Sequence, residues 1–302
     1  MSTNIKTDLN GWILIDKPLN IGSTQVVSKL KWALSPKKIG HAGTLDPLAT
    51  GLLPIALGHA TKLIPFVMDG QKIYDFQITW GAETETDDKE GAFTQTTSNR
   101  PTKEEVEKIL PTFIGTIDQL PPAYSAIKVD GKRAYSMARA GLAVSLNPRP
   151  VQIDSLSLLR FSDVSADFRV ICGKGTYVRS LGRDIGRALG CLGHISVLRR
   201  VACGPFDVKD ATPLSVFQTK NPTFSLIPIE KSLGKMSRLY LPSSEVNRLL
   251  QGQRIPLRQI ISFLSKTPAE SEILCLMSGE QLRGLVQYRQ GVIHPYRIFS
   301  DC

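Results

Sequence analysis

The sequence lacks a long hydrophobic run. Its most apolar stretch, Leu52 to Val67, is broken by Gly58, His59, Lys62 and two prolines, so no bilayer-spanning helix of about 20 residues is expected. The N-terminal MSTNIKTDLN has no apolar core of the kind a secretory signal needs. Paired cysteines are missing too. Cys172, Cys191, Cys203, Cys275 and Cys302 are scattered, odd in number and without C-x-x-C spacing, which reads as reduced thiols in a cytoplasmic protein. Cys191 and His194 have a ligand-like spacing, but no second pair completes a zinc site, so no metal is expected. Internal repeats and low-complexity segments are absent. Acids are in deficit: 27 Asp and Glu against 37 Lys and Arg leave +10. That excess favours a polyanionic partner, nucleic acid or an anionic membrane surface, through counterion release and steering. The 302 residues allow one large domain with ample core plus a small one.

What is present is organised around Gly40 to Lys62, GHAGTLDPLATGLLPIALGHATK. This stretch is small and apolar, yet holds one carboxylate, Asp46, between Leu45 and Pro47. Pro47 disfavours the helical region for Asp46 and pushes it towards an extended conformation. Asp-Pro is a common turn pair. A charge-poor loop that presents a single acid is also where a nucleophile or base could sit. Lys37, Lys38 and His41 precede the acid as a cationic cluster within reach of a phosphate backbone. By itself a lone histidine reads as structural.

The rest of the chain alternates strand and helix signals. Trp12 to Ile15 suits a buried strand, Asp16-Lys17-Pro18 a turn, and Ser23 or Thr24 a cap for a helix with Val26, Val27, Leu30 and Leu34 on one stripe. KIYDFQITW (Lys72 to Trp80) alternates as a half-buried strand with Tyr74, Phe76, Ile78 and Trp80 on one side. GAETETDDKEGAFTQTTSNRP reads as an exposed acidic connection, and TKEEVEKILPTFIG as an amphipathic helix capped by Thr102. Gln119 to Gly141 reads as a Pro-led strand, a turn at Asp130-Gly131 and a helix carrying Lys132, Arg133 and Arg139. Its basic side chains interleave with Tyr124 and Tyr135, which suits an RNA-facing surface and equally an ordinary strand-turn-helix. Two strands follow, VQIDSLSLLRF and ADFRVICG. Gly173-Lys174-Gly175-Thr176 lacks the residue order of a phosphate loop, so nucleotide binding is rejected. His194 reads as structural. After turn-forming Lys220 to Pro222, a helix is expected around Ser243 to Leu250, with strands at ILCLM and LRGLVQYR.

GHAGTLDPLATGLLPIALGHATK resembles the catalytic-loop signature of the TruB-type tRNA pseudouridine-55 synthases. QLPPAYSAIKVDGKRAYSMARAG is similar to that family's P-P-x-Y-S-A-x-K-x-x-G-x-x-x-Y-x-x-A-R-x-G segment, and GKGTYVRSLGRDIGRALG to its K-G-T-Y-[IV]-R motif, in family order and spacing. DKPLNIGST is similar to its D-K-P-x-G-x-T-S opening, with Asn20 where the family usually has Gly. The resemblance covers nearly the whole chain.

It implies a mixed α/β (α+β) fold: a catalytic domain about a largely antiparallel sheet over residues 1–235, and a small PUA-like, RNA-binding β-domain over 236–302. It implies that Asp46 is the nucleophile, that Tyr74 stacks on the target uracil and assists loss of the carbon-5 proton, and that Arg179 pairs with Asp46. A guanidinium fork can keep a desolvated carboxylate ionised. His41 would take the place of an extruded base, and Lys17, Tyr124, Lys128, Lys174 and Tyr177 would contact substrate or RNA. The implied reaction isomerises the uridine at position 55 in the T-loop of tRNA to pseudouridine after base flipping. No cofactor is implied, because neither redox chemistry nor an external group donor is needed. The implied partner is the tRNA T-arm, met by a cytoplasmic monomer with no membrane attachment.

Three other readings compete. The first is an RNA-binding or RNA-folding protein without catalysis. The second is the catalytic subunit of a guide-RNA particle like the dyskerin group, disfavoured because no lysine-rich tail follows Phe299. The third is a hydrolase using Asp46, disfavoured because no second acid or Ser-His pair accompanies it.

Overall fold

The structure is a computed structural model that describes residues 6–125, 127–129, 131–142, 145–234, 236–264 and 266–299. Asp130, Cys302 and the side chains of Lys128, Lys132 and Arg133 lie outside the described residues. The chain divides into two compact units, Met1–Ile227 and Pro228–Cys302.

The first unit begins with strand β1 (Gly11–Lys17), where Trp12 to Ile15 are buried as their apolar run requires. Helix α1 (Ser23–Leu34) buries Val26, Leu30 and Leu34. Its cap differs from the expectation: Gly22 is the N-cap, and its N–H donates to Gln25 Oε1 (2.8 Å). Ser23 is released for another task, described below. Strands β2 (Ala49–Leu57) and β3 (Lys72–Trp80) follow. Helix α2 (Lys103–Ile109) is capped by Thr102, whose hydroxyl accepts from Glu105 N while Glu105 accepts from Thr102 N; such a reciprocal box satisfies two orphan donors. Strands β4 (Gly115–Gln119), β5 (Arg149–Phe161) and β6 (Ser165–Cys172) precede helix α3 (Val178–Ala188) and the long strand β7 (Gly193–Cys203). Lys132 and Arg133 form a short strand, not the start of a helix; the helix here is Ala134–Arg139.

The main sheet runs Thr212–Pro213, β1, β2, β7, β3, β6, β5, β4. Two short strands, Ile39–His41 and Phe206–Asp207, sit alongside β2 and β7. Every pairing is antiparallel except β1 with Thr212–Pro213 and β2 with β7. The expectation of a largely antiparallel sheet in a mixed fold therefore holds.

Among the described residues, apolar clusters pack against the sheet, and two of them bear on the site. One gathers Phe76, Ile78, Phe168 and Val170 with Leu181 and Ile185 of α3; burying each such side chain contributes about 1.5–3 kcal/mol. The other gathers Ile13, Ile15, Leu53 and Ile55 with Val26 and Leu30 of α1. Tyr74 and Leu198 pack against both. Helix α3 lies close to the sheet because Gly186 has no side chain: a Cβ there would stand 2.5 Å from Gly193 N.

The second unit is a five-stranded sheet. Its strands are β8 (Arg238–Tyr240), β9 (Ile255–Pro256), β10 (Ile273–Ser278), β11 (Gln281–Arg289) and β12 (Val292–Ile298), in the order β8-β10-β11-β12-β9. Helix α4 (Ser243–Leu250) buries Val246 and Leu249 with Leu276, Val286 and Ile293. The sequence reading found α4, β10 and β11; β12, with Pro295 inside it, carried no clean alternation. Among the described residues, no helix is long and apolar enough to cross a membrane.

Candidate active site

Asp46 opens a tight turn. Ala49 N donates to Asp46 O (3.1 Å) with Pro47 second in the turn, the position where proline's fixed φ is already suitable. Three anchors hold this loop. Ser23 Oγ donates to Leu45 O (2.9 Å) and accepts from Leu45 N (2.8 Å). Asn20 N donates to Pro47 O (2.8 Å). The Lys17 ammonium donates to Pro18 O, Ile21 O and Pro47 O (2.9, 2.7 and 3.3 Å). Beyond the turn, Gly51 has φ +96°, and a Cβ there would meet Arg200 O at 2.3 Å. Only glycine lets β2 and β7 approach so closely here.

Lys17, expected to contact substrate or RNA, presents no exposed surface in this structure. It is fully buried and wholly spent on backbone carbonyls. Burial pushes its ammonium down to about 8, against the attraction of Asp46. Because this folded value lies below the usual 10.5, the unfolded chain binds more protons between about pH 8 and 10.5. Stability contributed by this residue should accordingly rise across that window, by at most about 1.4 kcal/mol per pH unit. Chemical denaturation of the wild type and of Lys17→Met as a function of pH checks this: the difference between their curves should grow in favour of the wild type above pH 8. A constant difference would contradict it.

Arg179 projects from the first turn of α3 and is buried. Its Nε lies 2.9 Å from Asp46 Oδ2. The expected fork is not formed, because the other guanidinium nitrogens are engaged elsewhere. Nη1 donates to Thr86 O (2.8 Å) and lies 3.6 Å from Asp88 Oδ2, and Nη2 donates to Tyr124 O (3.0 Å). Asp46 Oδ1 makes no hydrogen bond among the described residues, and the carboxylate is 39% exposed.

The acidic segment after β3 is a correction to the sequence reading. Glu83, Thr84, Thr86, Asp87 and Asp88 are buried, not exposed. They lie against α3, whose arginines at spacing four form one stripe. Arg179 meets Asp88, Arg183 Nη1 meets Asp87 Oδ2 at 2.9 Å, and Arg187 grips Glu83 with two bonds (2.7 and 2.6 Å). Thr86 Oγ1 donates to Asp88 Oδ1 (2.6 Å), fixing the carboxylate that faces Arg179. Burial raises the Asp87 carboxyl above its ordinary value, with Arg183 and Arg179 opposing. Asp88, and Arg183 and Arg187 that extend the stripe from Arg179, are residues behind the site that sequence reading missed. The R-x-x-x-R-x-x-x-R spacing in VRSLGRDIGRA was the available signal.

A cavity of about 430 Å³ opens beside Asp46. Six of the candidates line it together: Asp46, Tyr74, Tyr124, Lys174, Tyr177 and Arg179. Burial raises the Tyr74 phenol above its usual value, and Arg200 pulls the other way. Burial likewise raises Tyr177. Tyr124 meets Tyr135 edge-on at 6.2 Å, and Arg139 lies over the Tyr135 ring at 4.8 Å. Lys174 pairs with Asp69 (2.8 Å) in an exposed contact of little energetic weight. Lys72, Leu198 and Arg200 also belong to the lining and were assigned no role from sequence. His41 does not line the cavity. It is half-buried on the strand before the loop, its Nδ1 has no hydrogen-bond partner among the described residues, and burial with Arg200 nearby keeps its ring below the usual value. The Lys128 side chain lies outside the described residues. His194 is structural: its Nδ1 sits 2.9 Å from Ala82 O.

The site presents one partly exposed carboxylate, Asp46, a wall that includes Tyr74, Tyr124, Tyr177 and Leu198, and the cations of Lys72, Lys174, Arg179 and Arg200. The family model described as TruB family pseudouridylate synthase (N terminal domain) matches residues 31–178. The tRNA pseudouridylate synthase B C-terminal domain model matches residues 179–222. The tRNA pseudouridine synthase B of Rhodopseudomonas palustris is 44% identical over 98% of this chain and 82% of its own length. That of Rhizobium etli is 45% identical over 97% and 96%. Among solved structures, a chain of an H/ACA RNP bound to a substrate RNA containing 2'-deoxyuridine has a TM-score of 0.72 at 22% identity, covering 96% of this chain and 84% of its own. A chain of the archaeal box H/ACA sRNP Nop10-Cbf5 complex has a TM-score of 0.70 at 20% identity, covering 96% and 86%. These two share the fold.

Proposed function

This chain belongs to the TruB family of pseudouridylate synthases, and on that premise we propose that it converts one uridine in the T-loop of tRNA, at position 55, to pseudouridine with Asp46 as nucleophile. The observation that carries the proposal is the Asp46–Arg179 pair (2.9 Å) at a cavity lined also by Tyr74. A base inside a folded loop cannot reach Asp46, so the nucleotide is flipped into the cavity, where Tyr74 stacks on it. Arg179 holds Asp46 Oδ2, leaving Oδ1 to form a bond to ribose carbon-1′ as the uracil departs from it with the glycosidic electron pair. The detached ring turns within the cavity, and its carbon-5 displaces the carboxylate. Tyr74 then assists removal of the carbon-5 proton, and a proton is taken up at N1. The sum is an isomerisation with no net change in protons or electrons.

Basic and aromatic side chains around the mouth, Lys174, Arg139 and Tyr135 among them, suit a phosphate backbone and splayed bases. His41 enters the RNA loop in place of the extruded base. The second unit adds RNA-binding surface.

The test is tritium release from a tRNA transcript labelled at uridine carbon-5, with the product mapped to the T-loop. Release equal to the pseudouridine formed is expected. Tight tRNA binding without release would make the chain a binding or folding factor. Intact T-arm should outpace an unfolded fragment of the same sequence by at least about tenfold, since shape is what is read; equal rates would remove the shape requirement.

A further inference from the structure

Two cations in the cavity wall have no work in the mechanism above. Arg200 is 1% exposed and Lys72 is 7% exposed. Arg200 Nε donates to Leu52 O (2.8 Å) and Nη2 to Gly43 O (3.0 Å). The Lys72 ammonium donates to Met68 O and Gly70 O. Neither forms an ion pair with a carboxylate among the described residues, whereas Arg179, in the same wall, is matched by Asp46 and Asp88. A buried cation without a counter-charge is costly, and a guanidinium cannot escape that cost by giving up a proton. Such a charge facing a cavity points to an anion that arrives with the ligand.

The register says where the anion would lie. Arg200 on β7 is the direct cross-strand partner of Tyr74 on β3, so their side chains share a face. Lys72 is two residues before Tyr74 and shares it as well. All three line the cavity. The ring that stacks on Tyr74 is thereby placed beside both cations.

We propose that Arg200, with Lys72, stabilises the negative charge carried by the uracil ring during the isomerisation; this rests on the reaction proposed above. Charge appears on the ring twice. When the N1–C1′ bond breaks, its electron pair leaves with uracil as an anion. When carbon-5 bonds to C1′, that pair is consumed: the new C–C bond takes the C5=C6 π electrons and N1=C6 forms. Removal of the carbon-5 proton returns the C–H pair to C5=C6, and the N1=C6 electrons move back to N1, which is again anionic until protonated. A fixed cation in a water-poor cavity favours both anionic states over the neutral reactant, which is what accelerates a reaction.

Arg200→Gln and Arg200→Lys separate charge from architecture. Gln keeps a hydrogen-bond donor for one carbonyl and loses the charge; Lys keeps the charge and loses the fork. With tritium release on intact tRNA, Arg200→Gln is expected to lower kcat at least 100-fold with KM within threefold, while Arg200→Lys retains kcat within about tenfold of wild type. Equal losses in both variants, or a Gln variant within threefold of wild type, would overturn the inference. Circular dichroism reports folding. If the Gln variant does not fold, Lys72→Met carries the test, with at least a tenfold fall in kcat expected and wild-type turnover overturning it. A wild-type chain that releases no tritium sinks the proposed reaction itself, whereas an active wild type with an unaffected Gln variant sinks only the role of Arg200.

Discussion

Replacing Asp46 by Asn should abolish tritium release, lowering kcat by about four orders of magnitude or more, with tRNA affinity unchanged within about threefold. The amide is nearly isosteric, and its carbonyl oxygen can take the place of Oδ2 beside Arg179 Nε. The turn rests on backbone groups and on Ser23 and Lys17, not on the Asp46 side chain. Shape and charge steering are therefore kept while nucleophilicity is lost. Single-turnover release, measured beside a filter-binding isotherm, reads both quantities. Residual turnover above about one hundredth of wild type would show that the carboxylate is not the nucleophile.

Arg179→Met should damage both activity and stability. The substitution leaves the Asp88 carboxylate buried without its cation and strips donors from Thr86 O and Tyr124 O. Breaking a buried charge pair from one side costs about 3–5 kcal/mol, so urea denaturation should register a loss of about 3 kcal/mol. Activity should fall by about 10²–10³-fold, because Asp46 loses the contact that orients it. Adding Asp88→Asn removes the stranded charge. The double variant should regain part of the stability and none of the activity. Recovery of activity in the double variant, or an Arg179→Met enzyme within tenfold of wild type, would contradict the assignment of Arg179 as the residue that holds Asp46.

The α3 stripe explains why one end of this helix is more than a scaffold. Arg183 and Arg187 extend the contact begun at Arg179, so the acidic segment is held at Asp88, Asp87 and Glu83 in turn. Thr86 O and Asp88 are thereby fixed against the guanidinium that fixes Asp46.

The roles of Asp46, Tyr74 and Arg179 were implied by the family resemblance, while several local features around the candidate site were legible in the amino-acid sequence itself. Asp46 between Leu45 and Pro47, the alternation that puts Tyr74 on the inner face of β3, the Thr102 cap and the extent of α4 all depend on residues within one turn or one strand of each other. Side-chain type and spacing decide such features, and tertiary structure has only to accept them. What only the tertiary structure decided involves partners far apart in the chain. The acids after β3 looked solvent-exposed because their arginine partners lie about a hundred residues later, at separations such as 96 and 104. Lys17 looked like a surface charge in a turn, but β1 carries it under the Pro47 loop, where three carbonyls replace water. Arg200 was one basic residue among 37; cross-strand pairing with Tyr74 and burial against Gly43 and Leu52 make it a cation inside the cavity. In each case the charge itself is written in the sequence, while its counter-charge or its lack of one is set by which strands become neighbours. That depends on long-range pairing and burial, which no local pattern encodes.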